Sequence, residues 1–274
     1  MFELEIKPEN KFTLGLNELW QYRELFYFFT WRDIKVRYKQ ATLGILWAAM
    51  QPLSMMLLFT LIFSRGLKVG SDGLPYPIFA FSGLMIWNIF SNGLMNAASS
   101  MVSNANIIKK IYFPRLIIPL SAILTALFDF LFAFGIFIIL LFYYQIPFSL
   151  WKLLVFTPLS ILLTVITTFG LGTLLASLNI KYRDFQYALP FMIQFLLFLN
   201  PVLYSTKSFE NVVIQRIMQF NPIAGAINLM RAVFTEGTSF SWTLVVGQFF
   251  VASVFLILGI YFFRKTEAYF ADLA

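Results

Sequence analysis

Cysteine and histidine are both missing from this chain. Their absence excludes disulfides, thiolate metal sites, cysteine nucleophiles and imidazole bases. Charge is scarce too: 12% of the 274 residues are charged, against roughly 25% in ordinary soluble domains. No Gly-Lys pair occurs anywhere, so there is no G-x-x-x-x-G-K-S/T loop, and nucleotide binding in the P-loop manner is not expected of this chain. The first residues, MFELEIKPENKFTLG, lack the apolar core and small-residue cleavage site of a signal peptide. The first true span is therefore expected to direct insertion.

What is abundant is hydrocarbon. Hydrophobic residues make up 59% of the chain, 34 residues are Phe, and the mean hydropathy is +0.78. That much apolar surface would aggregate in water but is ordinary in lipid. The net charge of +7 does not form the contiguous basic face that nucleic acid needs. Its cations sit in short clusters between apolar runs, where loops meet anionic lipid and set topology.

A spanning helix needs about 20 mostly apolar residues, because each residue adds 1.5 Å across a core of about 30 Å. Six stretches qualify, near 43–64, 77–98, 115–144, 153–178, 187–204 and 241–263. The expected fold is thus an all-α integral membrane protein with six transmembrane helices, one transmembrane domain over residues 1–274. With both termini in the cytosol, fourteen of the 20 Lys and Arg residues fall inside and six outside, the bias of the positive-inside rule.

Residues 18–40 mix the aromatic run LFYFFTW with charge. The apolar part is too short to span and suits an amphipathic helix in the headgroup plane. Its cations Arg32, Lys35, Arg37 and Lys39 either anchor the first span or form a cytosolic collar for a partner; the residues alone leave both open. A brief helix is expected through IIKKIY after Asn104 or Asn106, before Pro114 interrupts it. Such a helix could enter a groove on a soluble partner, with Ile107, Ile108 and Tyr112 as anchors and Lys109 and Lys110 at the rim.

Within the spans, Thr168, Gly172 and Ala176 form a small-residue stripe, and Gly93 and Ala97 repeat the spacing; both favour close helix approach. Pro52 and Pro190 remove backbone hydrogen bonds and are expected to kink the first and fifth spans. Trp47, Gln51 and Ser54 share one face of the first span, and Tyr187, Gln194 and Tyr204 one face of the fifth. Rings and amides of this kind suit a sugar path, or else interhelical hydrogen bonds and interfacial belts. Asp129, among Phe128, Phe130 and Phe132, is protonated, hydrogen-bonded to a neighbour, or open to a wet cavity; it is either satisfied within the structure or a contact for the lipid-linked head group. The fifth span is short, and Asn221 with Pro222 opens another helix after it. Residues 205–237 are therefore expected to dip back from the outer side as re-entrant helices, with Arg216 and Arg231 as head-group contacts or interfacial anchors.

Four stretches resemble one family in the expected order: RDIKVRYKQATLGILWAAMQPL, NANIIKKIYFPRLIIPLSA, LNIKYRDFQYALPFMIQFLLFLNPVLYS and NPIAGAINLMRAVF. They look like the permease subunits of ABC exporters for lipid-linked polysaccharides, of the O-antigen, capsule and teichoic-acid type. The resemblance implies a homodimer of six-span subunits in the bacterial cytoplasmic (inner) membrane. It also implies a cytosolic ABC ATPase dimer that binds the ATP and Mg²⁺, and export of a glycan on a polyprenyl lipid. No cofactor is expected in this chain, nor is any enzymatic role. The resemblance places coupling contacts in the loop 104–114 and near the N-terminal helix, and the first and fifth spans beside the conduit. The rival readings are a membrane-embedded glycan-modifying enzyme, for which acids and bases are in poor supply, and an ion-coupled flippase, for which Asp129 is the one deeply placed charge.

Overall fold

The computed structural model describes residues 16–39, 44, 46–66, 70–182, 184–206, 211–235 and 241–267. Among these every regular element is helical. In chain order they are α1 (Leu16–Gln21), α2 (Arg23–Tyr38), α3 (Leu46–Phe59), which widens into a π-helix over Thr60–Gly66, α4 (Tyr76–Ser103) and α5 (Ala105–Ile108). There follow α6 (Ile117–Tyr143), α7 (Leu150–Lys181), α8 (Phe185–Leu199), α9 (Val212–Phe220), α10 (Pro222–Ala232) and α11 (Trp242–Glu267).

Helices are what lipid permits, because hydrocarbon offers no partner to an exposed N–H or C=O. Five of them are long and apolar enough to cross a membrane: α3 with its π-helical end, α4, α6, α7 and α11. They match five of the six expected stretches within a few residues; residues 43 and 45, at the start of the first, lie outside the described set. The sixth stretch, 187–204, holds only the 15-residue α8, about 22 Å of helix. The segment expected to form one interfacial helix breaks at Tyr22 into α1 and α2.

Helix α4 is the central column. In its most apolar window 83% of the residues are buried, against 22% in the corresponding windows of α3 and α11. It packs on α6, α7, α10, α3 and α8, while the outer helices turn their remaining faces to lipid. The small-residue stripes meet each other: a Cβ on Gly93 would lie 3.0 Å from Thr168 Cγ2, and one on Gly172 would lie 2.8 Å from Ala97 Cβ. Asn179 ties the same pair by donating to the Ala98 carbonyl at 3.0 Å. On the far side of α7, backbone meets backbone. A Cβ on Gly170 would stand 2.5 Å from Phe255 C and Leu256 N, and one on Gly259 would strike Thr173 Oγ1 at 2.6 Å as well as the Gly170 carbonyl.

Between α8 and α10 the chain is irregular yet bonded. Asn200 and Asn221 each precede a proline, which biases both toward extended backbone, and both are extended. Asn221 caps α10 as expected, its Oδ1 accepting from Ile223 N at 3.0 Å with Pro222 next to it. Its Nδ2 donates to Asn200 Oδ1 at 2.9 Å. Tyr76 Oη donates to the Leu203 carbonyl at 2.9 Å. Residues 207–210 and 236–237 of the expected re-entrant segment lie outside the described residues.

The α7–α11 crossing yields a stability prediction. Gly259→Ala should destabilise by about 1–3 kcal/mol, since the new methyl meets backbone and a buried hydroxyl rather than yielding side-chain tips. Gly135→Ala on α6, whose Cβ would have open space, should be neutral or slightly stabilising. Thermal unfolding of the detergent-solubilised protein measures both; equal melting temperatures would contradict the close crossing.

Candidate functional site

The site starts with how α2 is held. Its buried residues are Phe29 and Ile34, and the Phe29 ring packs 5.6 Å from that of Phe113. One turn on, Arg32 lies over the Phe29 ring. It pairs with Asp33 at 2.7 Å and donates to Asn104 Oδ1 at 2.8 Å. At its end Arg37 makes an ion pair with Asp129 of α6, and Tyr38 Oη donates to the same carboxylate. Burial, reinforced by the carboxylate beside it, pushes the Tyr38 phenol well above its ordinary range, so it stays a donor. Helix α2 is thus pinned at its middle to the loop after α4 and at its end to α6.

These contacts redistribute the expected collar. Lys35 is exposed, its ammonium 5.2 Å from the Trp31 ring. Arg32 and Arg37 are occupied by Asn104 and Asp129 instead. For Asp129 the structure selects the hydrogen-bonded and cavity-lining alternatives together. Its cation, 92 positions away in sequence, is invisible to helical periodicity.

The loop after α4 is more compact than expected. Only Ala105–Ile108 is helical, and Asn104 does not cap it. The Asn104 amide reaches back to donate to the Ser100 carbonyl at 2.8 Å, while its oxygen accepts from Arg32. Ile108 is core at 6% exposure and Ile107 is half-buried, so neither is a projecting anchor. The exposed apex is Lys109, Lys110, Ile111 and Tyr112, the last two 60% and 70% exposed. Ile111 was not singled out from the sequence. Behind the apex, Arg115 donates to the carbonyl of Glu267, joining the loop to the end of α11.

Three cavities follow one another along α4. The widest, about 710 Å³, opens between α2, α5 and the end of α4, with Arg32, Asp33, Asn96, Ser99 and Asn106 on its wall. The next, about 290 Å³, lies at the clasp and is lined by Arg37, Tyr38, Trp47, Gln51, Asn92 and Asp129. The innermost, about 20 Å³, adds Asn88 between α3, α4 and α6. Arg37 is common to the first two, and Gln51, Asn92 and Asp129 to the last two. The cavities form one tapering cleft. Asn88, Asn92 and Asn96 were missed in the sequence, although their four-residue spacing in an apolar stretch was a readable signal.

The other expected path residues divide by helix. On α3, Trp47, Gln51 and Ser54 share an exposed face, and the first two line the cleft. On α8, Tyr187 is 83% exposed and Gln194 is exposed, both away from these cavities. Tyr204 is half-buried and donates to the Phe198 carbonyl at 2.8 Å. The chain by itself therefore does not bring the two faces together.

At the outer end Arg216 is exposed on α9, free to meet solvent or lipid. Arg231 is 5% exposed and acts as an internal clamp. It donates to Pro201 O and Val202 O at 2.7 Å each and to Phe79 O at 3.2 Å, and lies 3.5 Å over the Phe79 ring. These bonds satisfy carbonyls of the irregular turn after α8, the role a buried guanidinium fork fits. Gly83 lies under this turn, where a Cβ would come within 2.8 Å of Arg231 Nη2 and 2.9 Å of Val202 O. Among the described residues no cluster of three or more acidic side chains is placed to hold a metal ion.

Residues 24–235 match the family model described as ABC-2 type transporter. The chain is 30% identical over 245 residues to the O-antigen export system permease protein RfbA of Klebsiella pneumoniae, spanning 88% of this chain and 92% of the relative. It is 29% identical over 224 residues to the protein of the same name from Myxococcus xanthus, 81% of this chain and 84% of that one. To the polysialic acid transport protein KpsM of Escherichia coli it is 22% identical over 242 residues, 85% and 91% of the two chains. A match that runs from α2 to the end of α10 takes in the pinned α2, the loop after α4 and the cleft alike: the chain belongs to the ABC-2 type transporter family.

Proposed function

We propose that this chain is the membrane-spanning subunit of an ATP-driven exporter that moves a polyprenyl-linked polysaccharide across the bacterial cytoplasmic membrane. The observation that carries the proposal is its nearly end-to-end similarity to permeases named for O-antigen export. In this family the ATPase is a separate subunit, which agrees with a chain lacking any Gly-Lys pair. ATP and Mg²⁺ would be bound there. An ion-coupled flippase needs a carboxylate free to exchange its ion, whereas Asp129 is held by Arg37 and Tyr38. A glycan-modifying enzyme needs convergent acids and bases, which the cleft does not supply.

In this proposal α8 is the sixth crossing. Its about 22 Å of helix is completed by the turn that Arg231, Tyr76 and Asn221 hold together, and α9 and α10 dip back from the outer side. Six crossings put both termini in the cytosol, with Lys109 and Lys110 and the basic end of α11 on the same side. Helices α1 and α2 lie at the inner interface. Two copies would face each other across α3 and α8, enclosing the polar groups that one copy leaves exposed, Gln194 above all. An amide on a lipid-facing helix is costly, and a second protomer around a wet conduit removes that cost. The exposed apex Lys109–Tyr112, together with Lys35, is where the ATPase dimer would dock.

Deleting the chain in its native cell should abolish surface polysaccharide and leave the lipid-linked glycan on the inner leaflet; unchanged surface glycan would refute export. Lys109→Glu with Lys110→Glu should leave the complex membrane-inserted but cut glycan-stimulated ATP hydrolysis by about tenfold or more, because charge reversal sets like against like on a docking surface complementary to these lysines. Wild-type stimulation would remove the apex from the docking surface. Gln51→Leu with Gln194→Leu should slow glycan appearance at the surface without lowering the yield of folded complex, and normal export would return both amides to packing.

A further inference from the structure

Helix α4 carries a ladder of polar residues that packing does not explain. Asn88, Asn92, Asn96, Ser99 and Ser103 fall within an arc of about 80° and climb about 22 Å of helix. Gly93 and Ala97, which pack on α7, are centred about 120° around the helix from the middle of this arc. All five line the tapering cleft bounded by α2, α3, α5 and α6.

The three carboxamides of the ladder are unlike other asparagines of the core. Asn104, Asn179, Asn200 and Asn221 each use their side chains in hydrogen bonds to backbone or to another amide. Among the described residues, Asn88, Asn92 and Asn96, with Gln51 across the cleft on α3, make none, and all four amides border the cavities. The three asparagines are half-buried and Gln51 is exposed, and amides open on the spanning helices of a membrane protein mark a pathway or a wet site. Four such groups converging on one cleft call for an occupant that offers donors and acceptors.

Charge decides which occupant. The charged residues of the cleft are Arg32, Arg37, Asp33 and Asp129, and each arginine is already paired with an aspartate. A diphosphate or other anion would require unpaired cations, preferably a guanidinium fork free to bind. A neutral, carboxamide-rich wall instead matches hydroxyl groups, which donate and accept as amides do. Bonds of this sort are individually modest, so a chain of sugars can be held and released in turn.

We propose that the α4 carboxamide ladder, with Gln51 opposite, is a binding rail for uncharged sugar residues inside each protomer, entered from the cytosolic side. The proposal rests on polysaccharide export as the function and assigns that function a site. The Arg37–Asp129–Tyr38 clasp stands at the waist of the rail and limits how far a sugar enters while α2 is docked on α6.

The absence of native cysteine makes the test direct. Asn92→Cys, Asn96→Cys and, as a control on the outward face of α7, Leu162→Cys are introduced singly into the complete exporter with its ATPase. Inside-out membrane vesicles are then treated with a charged, water-soluble maleimide. The two ladder positions should label and the control should not. Labelling should fall severalfold in vesicles from cells that make the lipid-linked glycan, relative to cells blocked in its synthesis. Unlabelled ladder positions, or labelling that glycan does not protect, would overturn the rail. Protection by inorganic pyrophosphate equal to that by glycan would overturn the assignment to neutral sugar. In parallel, Asn92→Leu with Asn96→Leu should lower export about tenfold, two lost hydrogen bonds of ordinary strength, while the same pair changed to Gln should retain most of it. Full export by the leucine pair, with export still lost on deleting the chain, refutes the rail alone. Export indifferent to deletion refutes the function beneath it as well.

Discussion

Close backbone contact along α4, α7 and α11 is the constraint that orders the rest of this molecule. In lipid no hydrophobic force drives helices together, so association depends on how near they can come and on the few hydrogen bonds they share. Gly93 and Gly172 let α4 and α7 touch through Thr168 and Ala97; Gly170 and Gly259 bring α7 and α11 into backbone contact. With one side of α4 committed to that contact, another side is free to be polar. The cleft exists because the packing face and the amide face of one helix point in different directions, about 120° apart.

The same separation explains how the outer end is built. A chain that leaves helical geometry near the membrane must have its carbonyls satisfied by protein, and Arg231 does this for Phe79, Pro201 and Val202 together. It is placed by α10, whose start is set by the Asn221 cap and Pro222. The clamp needs room above α4, and Gly83 provides it. A cation that might have served ligand chemistry serves the turn instead.

Much of this was legible without coordinates. Hydropathy located five helices long and apolar enough to cross a membrane, the four-residue recurrence of small residues marked the two faces that turn out to meet between α4 and α7, and Asn221-Pro222 marked the start of α10. Signals that depend on position along one helix survived. What failed to show were pairings across distance: Arg37 with Asp129, Arg32 with Asn104, Arg231 with the turn at Pro201. A basic residue near a span end has one appearance whether it faces headgroups or reaches a buried partner, and only the fold chooses. The asparagine ladder is a different case, since its spacing was visible and was passed over for the more conspicuous aromatic and amide pattern of the first and fifth spans.

The placement of α2 links these two halves of the structure. It is held to the loop after α4 through Arg32 and Asn104, and to α6 through Arg37, Tyr38 and Asp129. The Asn104 amide continues the first connection into the last turn of α4. A displacement of the loop apex therefore cannot leave α2 where it is without breaking a charge-assisted hydrogen bond, and such bonds are roughly twice as strong as neutral ones. Nor can α2 move without pulling on Asp129, which sits on the wall of the same cleft. Loop, interfacial helix and cleft wall are joined by polar contacts, while the α4–α7–α11 core behind them is fixed by direct contact. Motion imposed at the loop apex would thus be spent where the cleft is lined by amides, not where the helices are locked by glycine.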